Sequence, residues 1–464
     1  MNGEVEDADL LVIGGGKAGK SLAMDRAKAG WKVVMAERDK IGGTCINVAC
    51  IPTKALVGSA RTMLTARGAD QMGVEIGGEP RISLERLRNH KESVVGGMVS
   101  AHEKMFADSG MDFILGTARF VDERTVEITT REGTRVVRGR DVVINTGTTP
   151  AVPAIEGIDA ADVWNSETIL ALQRLPESLI VLGGGYVGCE FASMFAIFGT
   201  RVTLVQGSAQ VLPREDPDVA AAVGEILAGQ GVELRLGATA KAVRREAGHG
   251  DVVVTLAGGA EIRGQQMLVA TGRSPVTGDL GLELAGVELT NRGFVRVDDH
   301  LRTSADHVWA AGDVAGSPQF THASWSDFRI LKANLTGGDA VTTGRLVPYT
   351  VFITPELARV GLTESEARAQ GRNIMVATIP VASIPRARTL HETIGMWKVV
   401  VDADADQILG VALLGHDSGE VVSVIQMAML GELRYQQVRD AVLTHPTMGE
   451  GVNLLMDALD VARR

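Results

Sequence analysis

Residues 10–37 read LLVIGGGKAGKSLAMDRAKAGWKVVMAE, and residues 179–206 read LIVLGGGYVGCEFASMFAIFGTRVTLVQ. Each stretch begins with an apolar strand, passes through G-x-G-x-x-G, runs through a helix of about 12 residues and ends in a second apolar strand. Such glycines permit a tight turn and close approach to a pyrophosphate, which the helix N-terminus stabilises. The sequence therefore predicts two βαβ units that each bind a dinucleotide. Their glycines are Gly14, Gly16 and Gly19 in the first unit, and Gly183, Gly185 and Gly188 in the second.

The residue at the end of each second strand predicts which nucleotide binds. An acidic residue about 20 positions after the glycine turn binds ribose hydroxyls, and the first unit has Glu37 there. This favours an adenosine ribose with free hydroxyls, as in FAD or NAD. The second unit has Gln206, followed by Gly207 and Ser208 rather than by an Arg that would suit a 2′-phosphate. We therefore expect NADH to be preferred, while NADPH stays open.

Length and composition limit the classes of protein. A chain of 464 residues predicts about three domains at roughly 100 to 200 residues each. The net charge of −11 and the lack of a basic run argue against nucleic acid as a partner. The chain lacks an apolar run of the roughly 18 residues that a membrane span needs, and its start, MNGEVEDADL, is acidic where a signal peptide is basic. The sequence predicts a cytoplasmic protein without a membrane partner.

The pattern of strands and helices divides the chain further. A polar, strongly helical segment is expected at 83–110, and HVWAAGDVAG, at 307–316, is expected to form a buried strand that ends at a turn. After residue 345 the pattern changes to alternating strands with helices behind them. The sequence predicts an α/β fold with two Rossmann-like dinucleotide-binding domains and a C-terminal α+β domain. The predicted segments are 1–152 (first dinucleotide domain), 153–275 (second), 276–345 (return to the first) and 346–464 (C-terminal domain).

Two of the three cysteines lie five residues apart in GGTCINVACIPTK, residues 42–54. On one helix, Cys45 and Cys50 would point about 140° apart, so a bridge between them requires a distorted first turn. A loop this short removes little entropy from the unfolded chain, which favours a redox role over a stabilising one. Two buried structural cysteines or a metal clip are the alternatives, although further Cys or His ligands are missing nearby. Cys189, inside the second nucleotide helix, is expected to be a packing residue.

The order of these motifs resembles the class I pyridine nucleotide-disulfide oxidoreductases, the flavoprotein disulfide reductases. This family includes lipoamide dehydrogenase, glutathione reductase and mercuric reductase. The resemblance covers essentially the whole chain and rests on both dinucleotide units, the cysteine motif and three further motifs. These are ATGRxP at 270–275, AGD at 311–313 and HPTxxE at 445–450.

The resemblance implies an FAD-dependent NAD(P)H oxidoreductase that passes electrons from NADH through FAD to a Cys45–Cys50 disulfide. Cys50 would face the flavin as the charge-transfer thiol, and Cys45 would be the interchange thiol that meets the acceptor. His445 would act as acid/base, because a carboxylate such as Glu450 fixes its tautomer and raises its basicity. In this family the His reaches the disulfide of the other subunit, so a homodimer is implied.

The resemblance also implies roles for individual cofactor contacts. Lys54 and Glu190 would form an ion pair beside the flavin ring, Tyr186 would cover the nicotinamide pocket, and Asp313 would contact the ribityl side. The full set of implied cofactor contacts is Gly14, Gly16, Lys17, Ala18, Gly19, Glu37, Gly43, Thr44, Lys54, Thr146, Gly147, Gly183, Gly185, Tyr186, Gly188, Glu190, Gln206, Gly272, Arg273, Gly312 and Asp313.

Three segments resemble one branch of the family, that of the reactive-chlorine-resistance copper reductases and the mercuric reductase-like proteins. They are GGGKAGK at 14–20, QFTHASWSDFRI at 319–330 and IPVASIPRAR at 379–388. This implies a metal-ion acceptor such as copper(II), bound transiently by Cys45 and Cys50, since thiolates favour soft cuprous ion. No Cys follows Cys189, unlike the mercury-volatilising enzymes. A dihydrolipoamide dehydrogenase, a reductase of small disulfides and, more remotely, a flavin redox sensor remain alternatives.

Overall fold

The computed structural model describes residues 5–248 and 250–462. In these ranges the chain forms 22 strands and 12 α-helices. The strands are β1 (Val5–Ile13), β2 (Val33–Glu37), β3 (Asp112–Leu115), β4 (Thr117–Phe120), β5 (Thr125–Thr129), β6 (Thr134–Ile144), β7 (Thr148–Pro150), β8 (Trp164–Asn165), β9 (Ser178–Leu182), β10 (Arg201–Gln206), β11 (Val232–Leu236), β12 (Ala240–Arg245), β13 (Val252–Leu256), β14 (Glu261–Gly264), β15 (Gln266–Val269), β16 (Arg273–Pro275), β17 (Val308–Ala310), β18 (Tyr349–Val351), β19 (Leu357–Gly361), β20 (Ile374–Pro380), β21 (Met396–Asp402) and β22 (Ile408–Leu414). The helices are α1 (Lys17–Lys28), α2 (Gly43–Asn47), α3 (Cys50–Arg67), α4 (Leu84–Ser109), α5 (Tyr186–Ile197), α6 (Pro217–Gly229), α7 (Thr321–Asn334), α8 (Glu364–Ala369), α9 (Pro385–Thr389), α10 (Ser418–Leu430), α11 (Tyr435–Arg439) and α12 (Gly451–Ala462).

The chain divides into two compact units. The first comprises the described residues of Met1–Ala55, Asn89–Ala151 and Arg273–Arg345. The second comprises those of Leu56–Arg88, Val152–Gly272 and Leu346–Arg464. The second unit thus contains both the second glycine-rich unit and the C-terminal strands. The division into four segments at 152, 275 and 345 stays a prediction.

The first unit is built on a seven-stranded sheet in the order β3-β2-β1-β6-β5-β4, with β17 paired to β6. Strand β1 runs parallel to both β2 and β6. Successive side chains of a strand point to opposite faces, and accordingly Leu10 and Val12 pack with residues of α1 and α7, while Leu11 and Ile13 belong to a second core. The carboxyl ends of β1 and β6 thereby lie side by side next to the first glycine turn.

The second unit contains three sheets. The first is parallel, in the order β11-β10-β9-β15-β8, and α5 connects β9 to β10. The second is antiparallel, in the order β12-β13-β14. The third is the antiparallel sheet β18-β19-β22-β21-β20, whose core includes apolar residues of α10 and α12. A buried parallel sheet followed by an antiparallel one is the mixture of α/β and α+β elements that the sequence predicts.

Several expectations from the sequence are confirmed by these elements. Helices α1 and α5 each have 12 residues and begin directly after their glycine turns. The helix expected at 83–110 is α4, and the strand expected in HVWAAGDVAG is β17. Among the described residues, no helix is both long and apolar enough to cross a membrane. A cytoplasmic location stays a prediction.

Candidate functional site

The first glycine-rich turn joins β1 to α1. Gly14 has a φ of +101°, and a Cβ on Gly19 would lie 2.6 Å from the carbonyl oxygen of Gly14, so both positions require glycine. Helix α1 has Gly16 as its N-cap residue, which leaves its positive end accessible to an anion. At the end of β2, Oε2 of Glu37 accepts a hydrogen bond of 2.8 Å from the N–H of Gly15. This turn fits the pyrophosphate and adenosine ribose of a dinucleotide such as FAD.

The second glycine-rich turn repeats this geometry between β9 and α5. Gly183 has a φ of +106°, and a Cβ on Gly188 would overlap the Gly183 carbonyl oxygen. A Cβ on the N-cap residue Gly185 would meet nothing within 4 Å among the described residues. Oε1 of Gln206 accepts a hydrogen bond of 2.7 Å from the N–H of Gly184. Gln206 therefore stands where Glu37 stands in the first turn, without its negative charge.

Cys45 and Cys50 lie on two separate helical segments. Cys45 is in the middle of the five-residue helix α2, and Cys50 is the first residue of the 18-residue helix α3. The chain breaks between them at Val48, whose φ and ψ are −143° and 16°. The spacing of the cysteines suggests a single helix with a distorted first turn. The structure instead has a break between two helices, and this break brings the two sulfurs into hydrogen-bond contact. Both cysteines are free thiols in the structure.

The hydroxyl of Thr321 lies beside this pair. Its Oγ1 is 3.3 Å from Sγ of Cys50, and Thr321 is the first residue of α7. The hydrogen bond to Cys50, then burial and the negative charge of Cys50, raise the pKa of Cys45, whereas Thr321 and Lys20 lower it. Cys50 begins α3, where the helix dipole favours a thiolate.

A buried lysine supports the segment that carries Cys45. Nζ of Lys20, on α1, donates a hydrogen bond of 2.8 Å to the carbonyl oxygen of Gly42, directly before α2. Burial and the charge of Lys17 lower the pKa of Lys20 to about 8, against the charges of Cys45 and Glu37. Lys17 itself lies 4.2 Å from the ring centroid of Trp325. Two cationic side chains of α1 therefore lie in the same unit as the cysteine pair.

The AGD segment is fixed by a buried ion pair. Asp327, on α7, is fully buried and accepts hydrogen bonds from the N–H of Gly312, at 2.8 Å, and from Nη1 of Arg345, at 2.6 Å. Oδ2 of Asp313 accepts a hydrogen bond of 2.7 Å from Thr148, and burial raises the pKa of Asp313. Arg273 contacts Thr148 as well, through Nε at 2.7 Å. This arrangement holds the Asp313 carboxyl among polar groups at the end of β17.

Lys54 and Glu190 belong to different units of the structure. Lys54 lies in the second turn of α3, and Glu190 is buried on α5, where its Oε1 accepts a hydrogen bond of 2.9 Å from the N–H of Phe352. The predicted Lys54–Glu190 ion pair therefore stays a prediction. Tyr186 is the first residue of α5, and its ring packs against that of Tyr349.

His445 and Glu450 meet as the HPTxxE motif suggests. Nδ1 of His445 is 2.7 Å from Oε2 of Glu450. The carboxylate accepts from Nδ1, so in the neutral imidazole the Nε2 atom carries the lone pair. The side chain of His445 is 68% exposed, whereas that of Glu450 is 14% exposed. A partly buried carboxylate thus orients a histidine whose side chain is exposed.

The remaining predicted contacts lie in loops and helix starts of the two units. Cys189 is buried, as expected of a packing residue, and burial raises its pKa to about 12. Gly147 and Gly272 have positive φ values of 71° and 136°. Three further predicted cofactor contacts lie in helices of the first unit: Ala18 is in α1, and Gly43 and Thr44 are in α2. The hydroxyl of Thr146, in the same unit, donates to the carbonyl oxygen of Val276 at 2.6 Å.

The described residues contain no group of three or more His, Cys, Asp or Glu side chains that could hold a metal ion. A four-ligand structural site of the kind zinc requires is missing from the part of the chain that is described.

Sequence reasoning missed Thr321 and Asp327 and gave Lys20 no structural role. Thr321 lies within the quoted segment 319–330, but it becomes a neighbour of Cys50 across 271 positions. Lys20 lies in the GGGKAGK turn, and its burial is a tertiary feature. Asp327 could have been suspected only as a charged residue on an otherwise apolar helix face.

Two family models match the chain. The model described as pyridine nucleotide-disulphide oxidoreductase matches residues 8–327. The model for the dimerisation domain of the same family matches residues 347–456. Together they span both compact units, and the second match indicates a homodimer.

Relatives of the chain carry names from the same family. The probable pyridine nucleotide-disulfide oxidoreductase RclA of Escherichia coli K12 is 41% identical over 449 residues, covering 96% of this chain and 97% of that protein. A mercuric reductase of Staphylococcus aureus is 33% identical, covering 97% of this chain and 82% of that protein. A solved Cu(II) complex of the HOCl-induced flavoprotein disulfide reductase RclA from Escherichia coli superposes with a TM-score of 0.90 at 40% identity, over 98% of this chain and 99% of that one.

Proposed function

The chain belongs to the pyridine nucleotide-disulphide oxidoreductase family, and on that premise we propose that it is an NADH-dependent flavoprotein that reduces copper(II) through Cys45 and Cys50. Bound FAD would supply the two-electron carrier between the nicotinamide and the sulfurs. The observation that carries the proposal is the cysteine pair, whose sulfurs are in hydrogen-bond contact, with Sγ of Cys50 3.3 Å from Oγ1 of Thr321.

The first glycine turn would bind the adenosine half of FAD. Gly14, Gly16 and Gly19 leave room for the pyrophosphate at the head of α1, and Glu37 would accept hydrogen bonds from the ribose. Asp313 would bind the ribityl chain, and burial raises the pKa of its carboxyl. Tyr186 and the second glycine turn would receive the nicotinamide coenzyme. We propose that this coenzyme is NADH, since Gln206 and Ser208 offer no cation for a 2′-phosphate.

Lys54 would stabilise the negative charge that develops on the reduced flavin ring, with Glu190 as its partner. Glu190 is buried, and its carboxylate accepts the N–H of Phe352. The roles of this pair rest on the resemblance of the motifs.

Copper(II) suits the reduced pair as an acceptor. Oxidation of Cys45 and Cys50 to a disulfide releases two electrons and two protons. Two copper(II) ions each take one electron and leave as copper(I), a soft ion that thiolates favour. Support comes from the relative solved as a Cu(II) complex, which shares the fold of this chain over nearly its whole length.

Reduction of a small disulfide is the second candidate, and the His445–Glu450 pair favours it. When a thiolate attacks an organic disulfide, a second thiolate leaves and needs a proton. Reduction of a metal ion requires no such proton. His445 is held by Glu450 at 2.7 Å and is exposed, so it is suited to deliver that proton. This candidate includes the dihydrolipoamide dehydrogenase reaction in reverse.

The pair His445 and Glu450 would act on the partner subunit of a homodimer. An apolar stripe supports this arrangement, because Val424, Met427 and Leu430 follow one another at spacings of three on α10 and are 43%, 58% and 56% exposed. Val442, three residues before His445, is fully exposed at 100%. Apolar surfaces of this kind mark association sites. A second copy of the chain would cover them and bring His445 to the other subunit's cysteines.

Steady-state oxidation of NADH by the purified yellow protein tests the proposal. Copper(II) and glutathione disulfide are compared as acceptors, and dihydrolipoamide is tested with NAD in the reverse direction. We expect copper-dependent oxidation of NADH that is lost in Cys45→Ser while FAD stays bound. Strong lipoamide activity without a response to copper would move the protein to the second candidate.

Spectra of the cysteine variants separate the roles of the two sulfurs. Cys50→Ser should remove the long-wavelength charge-transfer band of the reduced enzyme, and Cys45→Ser should keep it. Cys189→Ser is the matched control, because its sulfur is buried on α5 and donates to the Gly184 carbonyl oxygen. Full turnover in both active-site variants would exclude the disulfide mechanism.

A further inference from the structure

Two of the three tyrosines of the chain lie face to face in the second unit. The ring centroids of Tyr186 and Tyr349 are 5.1 Å apart, with an angle of 32° between the ring planes. Tyr186 begins α5 immediately after the second glycine turn, and Tyr349 begins β18. Both residues are only partly buried, so this contact lies at the edge of the core. The ring that would cover the nicotinamide pocket is therefore supported by a second ring.

A buried carboxylate fixes the second ring. The hydroxyl of Tyr349 donates a hydrogen bond of 2.5 Å to Oε1 of Glu215, whose side chain is 0% exposed. Nε of Arg359 donates to the other oxygen, Oε2, at 2.7 Å. Tyr349 and Arg359 are direct partners in the pairing of β18 with β19. One carboxylate thus holds two cross-strand neighbours, and the position of the Tyr349 hydroxyl is determined from both sides.

The direction of the hydrogen bonds extends this chain to Tyr186. A phenol has one proton, and that of Tyr349 is taken by the Glu215 carboxylate, the stronger acceptor. The hydroxyls of Tyr186 and Tyr349 also share a hydrogen bond. The oxygen of Tyr349 must therefore accept the proton of Tyr186. Burial and the charge of Glu215 raise the pKa of Tyr349, so the phenol stays protonated.

The carboxylate is in turn part of a rigid charged cluster. The neighbouring Asp216 is buried and accepts hydrogen bonds from the N–H groups of Glu364 and Ser365, at 2.9 and 3.0 Å. Nζ of Lys398 lies 3.3 Å from Asp216. Glu215 is bonded to Tyr349 and Arg359, and its chain neighbour Asp216 to three further groups, so a shift of Glu215 would disturb these contacts.

We propose that Tyr349, fixed by Glu215, is a positioning residue that holds the Tyr186 ring over the nicotinamide pocket and so sets the affinity for NADH. The proposal rests on the proposed function, because it takes Tyr186 as the residue that covers this pocket. Entry of the nicotinamide requires the Tyr186 ring to move away from Tyr349, which breaks the hydrogen bond and the ring contact. The apparent affinity for NADH equals the intrinsic affinity multiplied by the fraction of molecules whose pocket is accessible. Weakening the Tyr186–Tyr349 contact should therefore tighten NADH binding.

Stopped-flow reduction of the enzyme-bound flavin by NADH tests this inference without any acceptor. Tyr349→Phe keeps the ring and removes only the hydroxyl. We expect the apparent Kd for NADH to fall about three- to tenfold, while the limiting rate of flavin reduction stays within about twofold, because the reacting atoms are unchanged. Tyr435→Phe is the matched control, since Tyr435 is the third tyrosine and donates to Asp460 in the C-terminal part. It should leave both constants unchanged.

Tyr186→Phe tests the same hydrogen bond from its other end. It should lower the apparent Kd to a similar degree, and the double variant should add little, because each change breaks the same contact. Additive effects, or an unchanged Kd in Tyr349→Phe with a normal melting temperature, would overturn the positioning role. A wild-type flavin that NADH does not reduce at all would instead contradict the proposed function.

Discussion

Sγ of Cys50 lies 3.3 Å from Oγ1 of Thr321, although 271 positions separate the two residues in the sequence. The contact joins the first residues of two helices, α3 and α7. Positive helix ends and a hydroxyl donor thus converge on one sulfur, a microenvironment that favours a thiolate. The reactivity of the cysteine pair should therefore depend on a residue to which the sequence assigned no role.

Thr321→Val should make the reduced cysteine pair less acidic. The Thr321 hydroxyl lowers the pKa of Cys45, against the larger effects of Cys50 and burial, which raise it. Removing the hydroxyl takes away one stabiliser of the thiolate form, so the thiolate fraction at a given pH falls. We expect the pH profile of alkylation of the reduced enzyme by iodoacetamide to move up by about one unit.

Thr336→Val is the control for this measurement, because Thr336 follows α7 and its hydroxyl donates to the carbonyl oxygens of Lys332 and Ala333. Its alkylation profile should coincide with that of the wild type. An unchanged profile in Thr321→Val would show that the helix ends alone set the acidity of the pair.

Lys20→Met should shift the same profile in the same direction. The Lys20 cation lowers the pKa of Cys45, and the Cys45 charge raises that of Lys20. Loss of the cation therefore disfavours the thiolate, and we expect an upward shift of about half a unit. Lys20→Arg keeps the positive charge and should therefore restore most of the wild-type alkylation profile. A failure to restore it would mean that the guanidinium does not form the hydrogen bond to the Gly42 carbonyl oxygen.

Lys17→Met removes an equal charge from the same helix and serves as the control. Lys17 lies over the Trp325 ring, whereas the cation that lowers the pKa of Cys45 is Lys20. A shift in Lys17→Met as large as that in Lys20→Met would mean that the overall charge of α1, rather than the position of Lys20, controls the cysteine pair.

The elements that the sequence predicts well are those whose pattern is local. Each glycine turn lies within a single stretch of 28 residues. The close approach of Gly19 to the Gly14 carbonyl oxygen, like that of Gly188 to the Gly183 carbonyl oxygen, stays inside that stretch. Hydrophobic periodicity then fixes α1 and α5 to the correct length. The His445–Glu450 contact was also predictable, because a spacing of five residues lets a loop and a helix start bring both side chains together.

The features that the sequence does not reveal depend on contacts between distant segments. Thr321 meets Cys50, and Glu215 meets Tyr349, only after the sheets and helices have packed. Residues 56–88 belong to the second compact unit although they follow the first glycine unit closely in the sequence. Long-range packing, and not local propensity, decides each of these cases.

Gln206→Glu should strengthen the preference for NADH over NADPH. Oε1 of Gln206 already accepts the N–H of Gly184 at 2.7 Å, as Oε2 of Glu37 accepts that of Gly15 at 2.8 Å. A carboxylate in this position would accept hydrogen bonds from the ribose and repel a 2′-phosphate. We expect the ratio of kcat/KM for NADH to that for NADPH to rise about tenfold, which corresponds to roughly 1.4 kcal/mol.

Gln265→Glu introduces the same charge elsewhere in the second unit, where the side chain accepts the N–H of Glu177. Its coenzyme ratio should match the wild type. If Gln206→Glu leaves the ratio unchanged, the ribose of the coenzyme does not reach the end of β10.

His445→Ala separates the two candidate acceptors. Protonation of the thiolate that leaves a disulfide substrate needs an acid, and a positioned general acid contributes about 10²- to 10⁴-fold. We expect kcat/KM for glutathione disulfide or lipoamide to decrease by a factor of about 10² to 10⁴. The rate of copper(II) reduction should change by less than about threefold, because a metal ion accepts an electron without a proton. Glu450→Gln should show a smaller loss of the same kind, since the amide can no longer stabilise the protonated imidazole held at 2.7 Å.

His90→Ala is the control, because His90 is an exposed residue of α4 and should affect neither acceptor. Equal losses with copper(II) and with disulfides in His445→Ala would contradict copper reduction as a reaction of the bare sulfur pair. They would place a proton transfer in both reactions, and the disulfide candidate would then be the better description of the enzyme. A loss confined to disulfides would leave copper(II) as an acceptor that depends on Cys45 and Cys50 alone.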